Sequence, residues 1–505
     1  MKITMRIVCL LLAALLAGMT LIACSNEGGT SAPADKDEAD QPQTPSEDGE
    51  NDGKVDYMAS LPVQTYGGRD YTILCRTDKE YEIFCEEEDA VAIVEQAVFA
   101  RNNRVGTTYD VNIVSYAVNG TYEERSTFMA ALNASVASGD DAYQLVATHT
   151  AYNALISIDD KYYNLRDIDT LDLSNPWWSQ SFNEHASMYD VQFLTTGDLA
   201  LTMWEGLYAV FFNKEMAEAQ GTGDLYEIVE EGEWTLELLY ELSEVGYRDD
   251  GNDSIGVEDT FGFVTNRHSV RTFVTACEIP LAEKTPEGGY ELVFIDESKT
   301  IDLYEQVYEL IYENEGVYYH IPTTADHDYT GMTDIFTAGR ALFMSGTLDN
   351  APALRQSEVE FGILPFPKYD EDQENYLSHS YDGLSSFGIP LCAYDSEMCG
   401  MILEALCAES SYSVIPKYYD VVLQGRLARD EQSKEVLDTI RKNLYFDFGF
   451  VYSGAIGKGL AMGPFALFGD ACQQGKQLNI AYAENESIYT ANLESIIEYF
   501  ADYGK

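Results

Sequence analysis

Short apolar runs alternate with stretches of helical spacing through the first part of the folded chain. Residues 71–76, YTILCR, are mostly apolar or β-branched and follow the turn signal Gly67-Gly68, which predicts a strand. Residues 88–104 bring Val91, Val94 and Val98 round at helical spacing. YDVNIVSYAV, 109–118, reads as the next strand. Residues 121–140 read as a helix, with Thr121 as N-cap and Glu124 three residues on in a capping-box pattern. YQLVAT, 143–148, is a third strand. Strand, helix, strand, helix, strand predicts a right-handed parallel α/β sheet.

The alternation continues downstream. LYAVFFNK (207–214), RALFMSG (340–346) and VEFGILPFP (359–367) read as strands, and TLELLYELSEV (235–245) as a helix. Residues 396–443 and 490–503 are mostly helical in pattern. No internal repeat of about 20–50 residues stands out, which excludes solenoids and propellers. The chain therefore reads as two α/β lobes with a helical C-terminal third.

A different pattern precedes all of this. Lys2 and Arg6 lead into an apolar stretch from Ile7 to Ala23, shorter than the ~20 residues that cross a bilayer comfortably. Small residues close it, as in a secretory signal and unlike a spanning anchor. Leu21-Ile22-Ala23-Cys24 resembles the lipobox of bacterial lipoproteins. The resemblance implies a signal peptide over 1–23, cleavage before Cys24, and lipid attachment at that sulfur. Two acyl chains anchor stably where one does not. Residues 24–56 then offer Gly, Ser, Pro, Asp and Glu, with no aliphatic side chain larger than Ala before Val55. Such a segment cannot bury enough surface to offset its ordering entropy. It is expected to be a disordered acidic tether whose ends sit roughly 30 Å apart, holding a folded head at the extracytoplasmic face of a cell membrane.

Charge changes the picture by exclusion. Asp and Glu number 86 against 30 Lys and Arg, a formal net charge of −56. That balance argues against nucleic acid as a partner, which needs clustered basic residues, and against docking of the protein surface on anionic lipid. It bears on solubility and self-repulsion, not on fold. Of the 9 cysteines, Cys9 falls in the signal and Cys24 at the anchor. The odd set that remains cannot all pair within the chain. Cys75 and Cys85 could bridge, or could stay free and buried as small hydrophobes. No Cys-x-x-Cys pair or Cys/His cluster has zinc spacing. RDDGNDSIGVEDT (248–260) has acids at alternating positions, but Ile255 stands where a calcium loop needs glycine and Phe261 where it needs its last glutamate. A solvated acidic loop is expected there, and no metal or cofactor is expected elsewhere.

Several longer matches then coincide. DAVAIVEQAVFARNNRVGTTYDVNI resembles the first helix and second strand of the extracellular solute-binding proteins, family 1 type, that serve bacterial ABC importers. LYAVFFNKEMAEAQG, GEWTLELLYEL and DTFGFVTN resemble their crossover strand, Trp-Thr helix start and following strand. FTAGRALFMSG followed by FGILPFPK resembles their next two strands. The matches run in family order from about residue 70 to 390. They imply a two-lobed, periplasmic-binding-protein-like α/β fold with crossover hinges near 201–208 and 377–388, and a lesser one in the C-terminal third. Lobe one would combine 57–203 with about 384–430, and lobe two 204–380 with part of 431–505.

The function implied is a lipid-anchored, monomeric receptor that captures a small solute between its lobes and hands it to the permease subunits of an ABC importer. Carbohydrate is the leading ligand class and the 36 tyrosines suit it; peptide is second, and the same fold could serve a sensor. An inorganic anion is not expected, because no glycine-rich nest opens a helix. No Gly-x-Ser-x-Gly elbow, His-Glu-x-x-His helix or Walker loop is present. Carboxylates are too abundant to single out a glycosidase pair. A surface glycoside hydrolase is thus a lesser alternative, and the chain is not expected to be an enzyme.

Candidate ligand residues follow from where strands end. Ligands meet the carboxyl ends of strands in open α/β sheets, which puts forward His149 and Thr150, or else an exposed loop. Trp204-Glu205 on the first crossover pair a ring with a carboxylate, which suits a sugar that stacks its C–H face and directs its hydroxyls; the alternative is a tryptophan packed in the hinge. Trp177 and Trp178 lie in a turn after Pro176, where one could line the cleft and core packing is the rival. Trp234, ahead of the capping Thr235, reads as structural. Asp349 could accept from ligand hydroxyls or cap the next helix. Tyr381 and Asp382 could reach the ligand from the second crossover or simply build a turn at Asp382-Gly383.

Overall fold

Arg69–Arg76 forms the first strand, β1, its apolar run fully buried from Ile73 to Cys75. The computed structural model describes residues 55–252, 256–295, 298–321, 330–423, 431–457 and 463–503. The expected signal at 1–23, Cys24, nearly all of the 24–56 tether and residues 424–430 lie outside them. Helix α1 covers Ile93–Tyr109, strand β2 Val111–Val118, helix α2 Arg125–Ser138, and strand β3 Leu145–His149. Thr150–Ser157 is α3, and the short Leu201–Glu205 is α4. Strand β4, Tyr208–Asn213, leads to helix α5, Leu236–Gly246, then β5, Phe261–Asn266, and α6, Arg267–Ala276. Strands β6 (Val317–His320), β7 (Ala341–Thr347), β8 (Phe361–Leu364) and β9 (Ser385–Gly388) follow. Helices α7 (Ser396–Glu409), α8 (Ile415–Leu423), α9 (Glu431–Lys442), α10 (Pro464–Gln474) and α11 (Glu486–Asp502) complete the chain.

Two helices start later than the sequence pattern suggests. Helix α1 begins at Ile93 because the Glu95 carboxylate accepts from the backbone N–H groups of Ala92 (2.7 Å) and Val91 (3.1 Å), satisfying donors a helix start leaves orphaned. At Thr121 the hydroxyl accepts from Glu124 N at 3.4 Å, but this closes a turn, and α2 begins only at Arg125.

Two sheets carry the fold. The first has the order β9-β3-β1-β2, with β1 parallel to both neighbours and β9 antiparallel to β3. The second has the order β6-β5-β7-β4-β8, with β4 antiparallel to β7 and β8. The chain crosses from the first sheet to the second between α4 and β4, and returns between β8 and β9. A π-helical turn at Ser410–Val414 joins α7 to α8. The run 396–421 is long and apolar enough to cross a membrane by composition, yet it is mostly buried in the protein and packs on α1 as a core helix. Helix α9 packs on β8 of the second sheet.

The two crossovers are fastened to each other by their backbones. Tyr381 N donates to Gly206 O (3.0 Å), Tyr208 N donates to His379 O (2.9 Å), and Leu207 bridges Ser380. One edge of the Tyr381 ring lies against Gly206, where an added Cβ would stand 1.9 Å from its Cδ1. Only glycine permits that approach. All of Cys75, Cys85, Cys277, Cys392, Cys399, Cys407 and Cys472 are free, so the bridge considered between the first two is not made.

Candidate functional site

The carboxyl end of β1 delivers Arg76, which is 3% exposed. Its guanidinium grips Asp78 with two bonds, of 3.2 and 2.7 Å, and donates to the Gly383 carbonyl at 2.9 Å. The end of the first strand thereby holds the turn of the second crossover. The carboxyl end of β3 does the same through Thr150, whose backbone N–H and hydroxyl both donate to Leu384 O at 3.0 Å. Thr150 is buried and occupied in that task.

His149 caps α3, its Nδ1 accepting from Ala151 N at 3.2 Å. The ring lies between Tyr152 (5.6 Å) and Tyr122 (5.5 Å). Burial pushes its pKa well down, and Arg76 and Arg125 push it further, so the imidazole is neutral. Arg125 covers the Tyr122 ring at 4.5 Å and donates to the Tyr122 carbonyl.

On the first crossover, Tyr81 donates its hydroxyl to the Glu205 carboxylate. Burial raises the Glu205 pKa to about 7, helped by Glu82 and Asp349 and opposed by the Tyr81 bond and Lys79. Lys79 lies 5.5 Å from the centre of the Tyr81 ring and 6.0 Å from that of Tyr381. Asp349 follows β7, exposed, and accepts from Thr347 Oγ1 at 2.5 Å. On the second crossover, burial pushes the Asp382 carboxyl up against the pull of Arg271, Arg76 and Arg267. Glu205, Tyr381, Asp382, His149 and Asp349 thus gather where the sheets' strand ends meet the crossovers.

The tryptophans go elsewhere. Trp204 donates Nε1 to Asp198 (3.1 Å) and lies beneath the Arg441 guanidinium at 5.1 Å. Trp178 donates Nε1 to Glu404 at 3.1 Å, and Trp177 packs on Tyr57 with ring centres 5.2 Å apart. All three line a separate groove of about 660 Å³ with Asp198, Ser411 and Arg441. The expected pairing of an indole with the Glu205 carboxylate is therefore not formed; Trp204 is packed in the hinge. Trp234 is fully buried and bonded to Pro365 O at 2.9 Å, with Thr235 capping α5.

Residues that sequence reasoning passed over are Arg76, Asp78, Lys79, Tyr81, Tyr122 and Arg125 from the first lobe and Arg267, Arg271 and Asp470 from the second. The strand-end rule that singled out His149 applies equally to FGFVTN, and would have picked Arg267 and Arg271 on α6. Asp249, Asp250 and Asp259 come close enough together to meet at a cation. Asp259, however, accepts from Asp250 N and Gly256 N, both at 2.9 Å, and so closes the loop itself.

No family model matches this sequence, and no curated protein is a significant match. Solved structures do match. A cyclo/maltodextrin-binding protein complexed with maltotetraose superposes with a TM-score of 0.55 at 9% identity, covering 85% of this chain and 99% of that one. The chain has the two-lobed periplasmic-binding-protein fold. The GacH receptor of Streptomyces glaucescens matches at TM-score 0.53 and 12% identity, over 85% of this chain and 99% of that one. The galacto-N-biose-/lacto-N-biose I-binding protein of an ABC transporter from Bifidobacterium longum matches at 0.53 and 10%, over 85% and 98%. The backbone-paired segments 206–208 and 379–381 are where the two sheets' connections are tied together.

Proposed function

We propose that the protein is an extracytoplasmic solute-binding protein of family 1 type, which closes its two lobes over a small solute, carbohydrate in the first instance, and delivers it to the permease of an ABC importer. One observation carries the reading: polar side chains from both lobes converge on a pair of crossovers locked to each other by backbone hydrogen bonds. A ligand bridging such a cleft favours the closed state by its differential affinity for it. The structural neighbours named for maltotetraose and lacto-N-biose support carbohydrate as the class. Lobe one is taken as 57–203 with about 384–430, and lobe two as 204–380 with part of 431–505. Cys24 is the proposed point of lipid attachment, and the working form is a monomer. Binding without turnover is the proposed activity, in keeping with structural neighbours that are binding proteins.

The test is a thermal-shift panel of mono- and oligosaccharides and short peptides on the full chain. A saccharide that raises the melting temperature and is recovered unchanged supports the reading. A shift with peptides alone replaces the ligand class, and hydrolysis of the glycan replaces binding with catalysis. Labelling with radioactive palmitate, lost in Cys24→Ala, tests the anchor.

A further inference from the structure

Acidic residues outnumber basic ones by 86 to 30 along the chain, yet at one end of the cleft the two signs are level. Arg76 and Arg125 come from the first lobe and Arg267 and Arg271 from the second, against Asp78, Glu123, Asp382 and Asp470. Asp78 is taken up by Arg76. Asp470, on α10, serves two guanidinium groups at once, Arg271 at 3.0 Å and Arg267 at 3.8 Å. Arg271 is 5% exposed, and the Nε of each of these two arginines is buried without a hydrogen-bond partner among the described residues. A buried donor left unmade is expensive, so a missing acceptor is the natural complement. Arg125 makes no ion pair among the described residues, and neither does Asp382. Arg271 lies within electrostatic reach of Tyr122 and Asp382, and Arg125 lies on the Tyr122 ring at 4.5 Å, so the unmade Nε donor of Arg271 and the unpaired Arg125 share one neighbourhood. The other end, around Glu205 and Asp349, is acidic and suited to accept from hydroxyls.

We infer that the solute is an acidic saccharide, its carboxylate held by Arg267, Arg271 and Arg125 and its hydroxyls by the Glu205 end. Two guanidinium groups around one anion give the planar, paired donors that recognise a carboxylate. The inference rests on the solute-binding reading and names the class of solute that the cleft selects.

The experiment is calorimetric titration of the full chain with glucuronate- and galacturonate-terminated disaccharides, their neutral counterparts, and dipeptides. The acidic sugars are expected to bind at least tenfold more tightly than the neutral ones, and to lose that margin in high salt. Arg125→Gln, at a half-buried position, and Arg271→Gln should each weaken the acidic sugar tenfold or more while moving a neutral one less than threefold. Neutral sugars binding as tightly as acidic ones, or equal losses for both in the folded Arg125→Gln variant, overturn the inference and leave the solute-binding reading intact. Binding of no saccharide at all overturns the carbohydrate reading too, and a zwitterionic dipeptide that binds in their place reassigns the arginines to a peptide carboxylate.

Discussion

Trp204 and Glu205 are neighbours on one short helix, and they serve opposite ends. Trp204 turns to a groove where Asp198 takes its N–H and Arg441 covers its ring. Glu205 turns the other way, to the Tyr81 hydroxyl, with a carboxyl held up near neutrality by burial. Behind the hinge the groove is built of indole rings, with Trp177 Nε1 the one indole donor there left without a partner among the described residues, whereas the Glu205 side gathers charged groups. The lesson concerns how to read aromatic residues. Large rings contribute most when buried, so a tryptophan in the sequence is a poor marker of a site for guests.

That contrast can be broken most forcefully at Trp178. Trp178→Ala removes a buried ring and its bond to Glu404, and is expected to lower stability by about 4 kcal/mol, measured by urea unfolding. Solute affinity of the protein that remains folded should stay unchanged; a loss would place the groove in the binding site. Gly206→Val comes next. It pushes a side chain into the Tyr381 ring and should cost about 3 kcal/mol by overpacking, with affinity falling because the hinge is displaced.

A third test uses pH. Burial raises Asp198 to about 6, and Glu205, Glu404 and Asp447 to about 7. These groups hold protons in the folded chain at pH values where the unfolded chain has lost them. Stability should therefore fall as pH rises from about 4, the ordinary carboxylate value, to about 7, by at most about 1.4 kcal/mol per group per unit, and level off above. His379 works in the opposite sense. It packs on Phe450 at 4.4 Å, and burial lowers its pKa to about 3. Below about pH 6.5 only the unfolded chain takes up its proton, so stability drops there on acidification. The four carboxyls outweigh the one imidazole, so melting temperature should decline between about pH 4 and 7, and Asp447→Asn should make that decline shallower. The smallest effect on stability is expected from Glu205→Gln, under about 1 kcal/mol, with solute affinity down about tenfold by titration.

Much of the fold was legible because it is written locally. Strand β1 was read as 71–76 and runs Arg69–Arg76, and β2 was read as 109–118 and runs Val111–Val118. Apolar runs bounded by turn residues carry that signal without help from distant chain. The site was legible only at strand ends and crossovers, where topology dictates position. The fate of Trp178 was not, because Glu404 lies 226 residues away in sequence, and the rivalry between core packing and ligand contact is settled by that distant carboxylate. Arg271 was missed for the opposite reason: an arginine in a helix reads as a solvated face until Asp470 is brought beside it.

The joint between the lobes is tied amide to carbonyl, at Tyr381 with Gly206 and at Tyr208 with His379. Such ties are indifferent to what most side chains nearby become. Substitutions lining the recess can then retune selectivity without disturbing the swing, so that one mechanical frame could be handed new cargo by exchanging a few arginines and carboxylates.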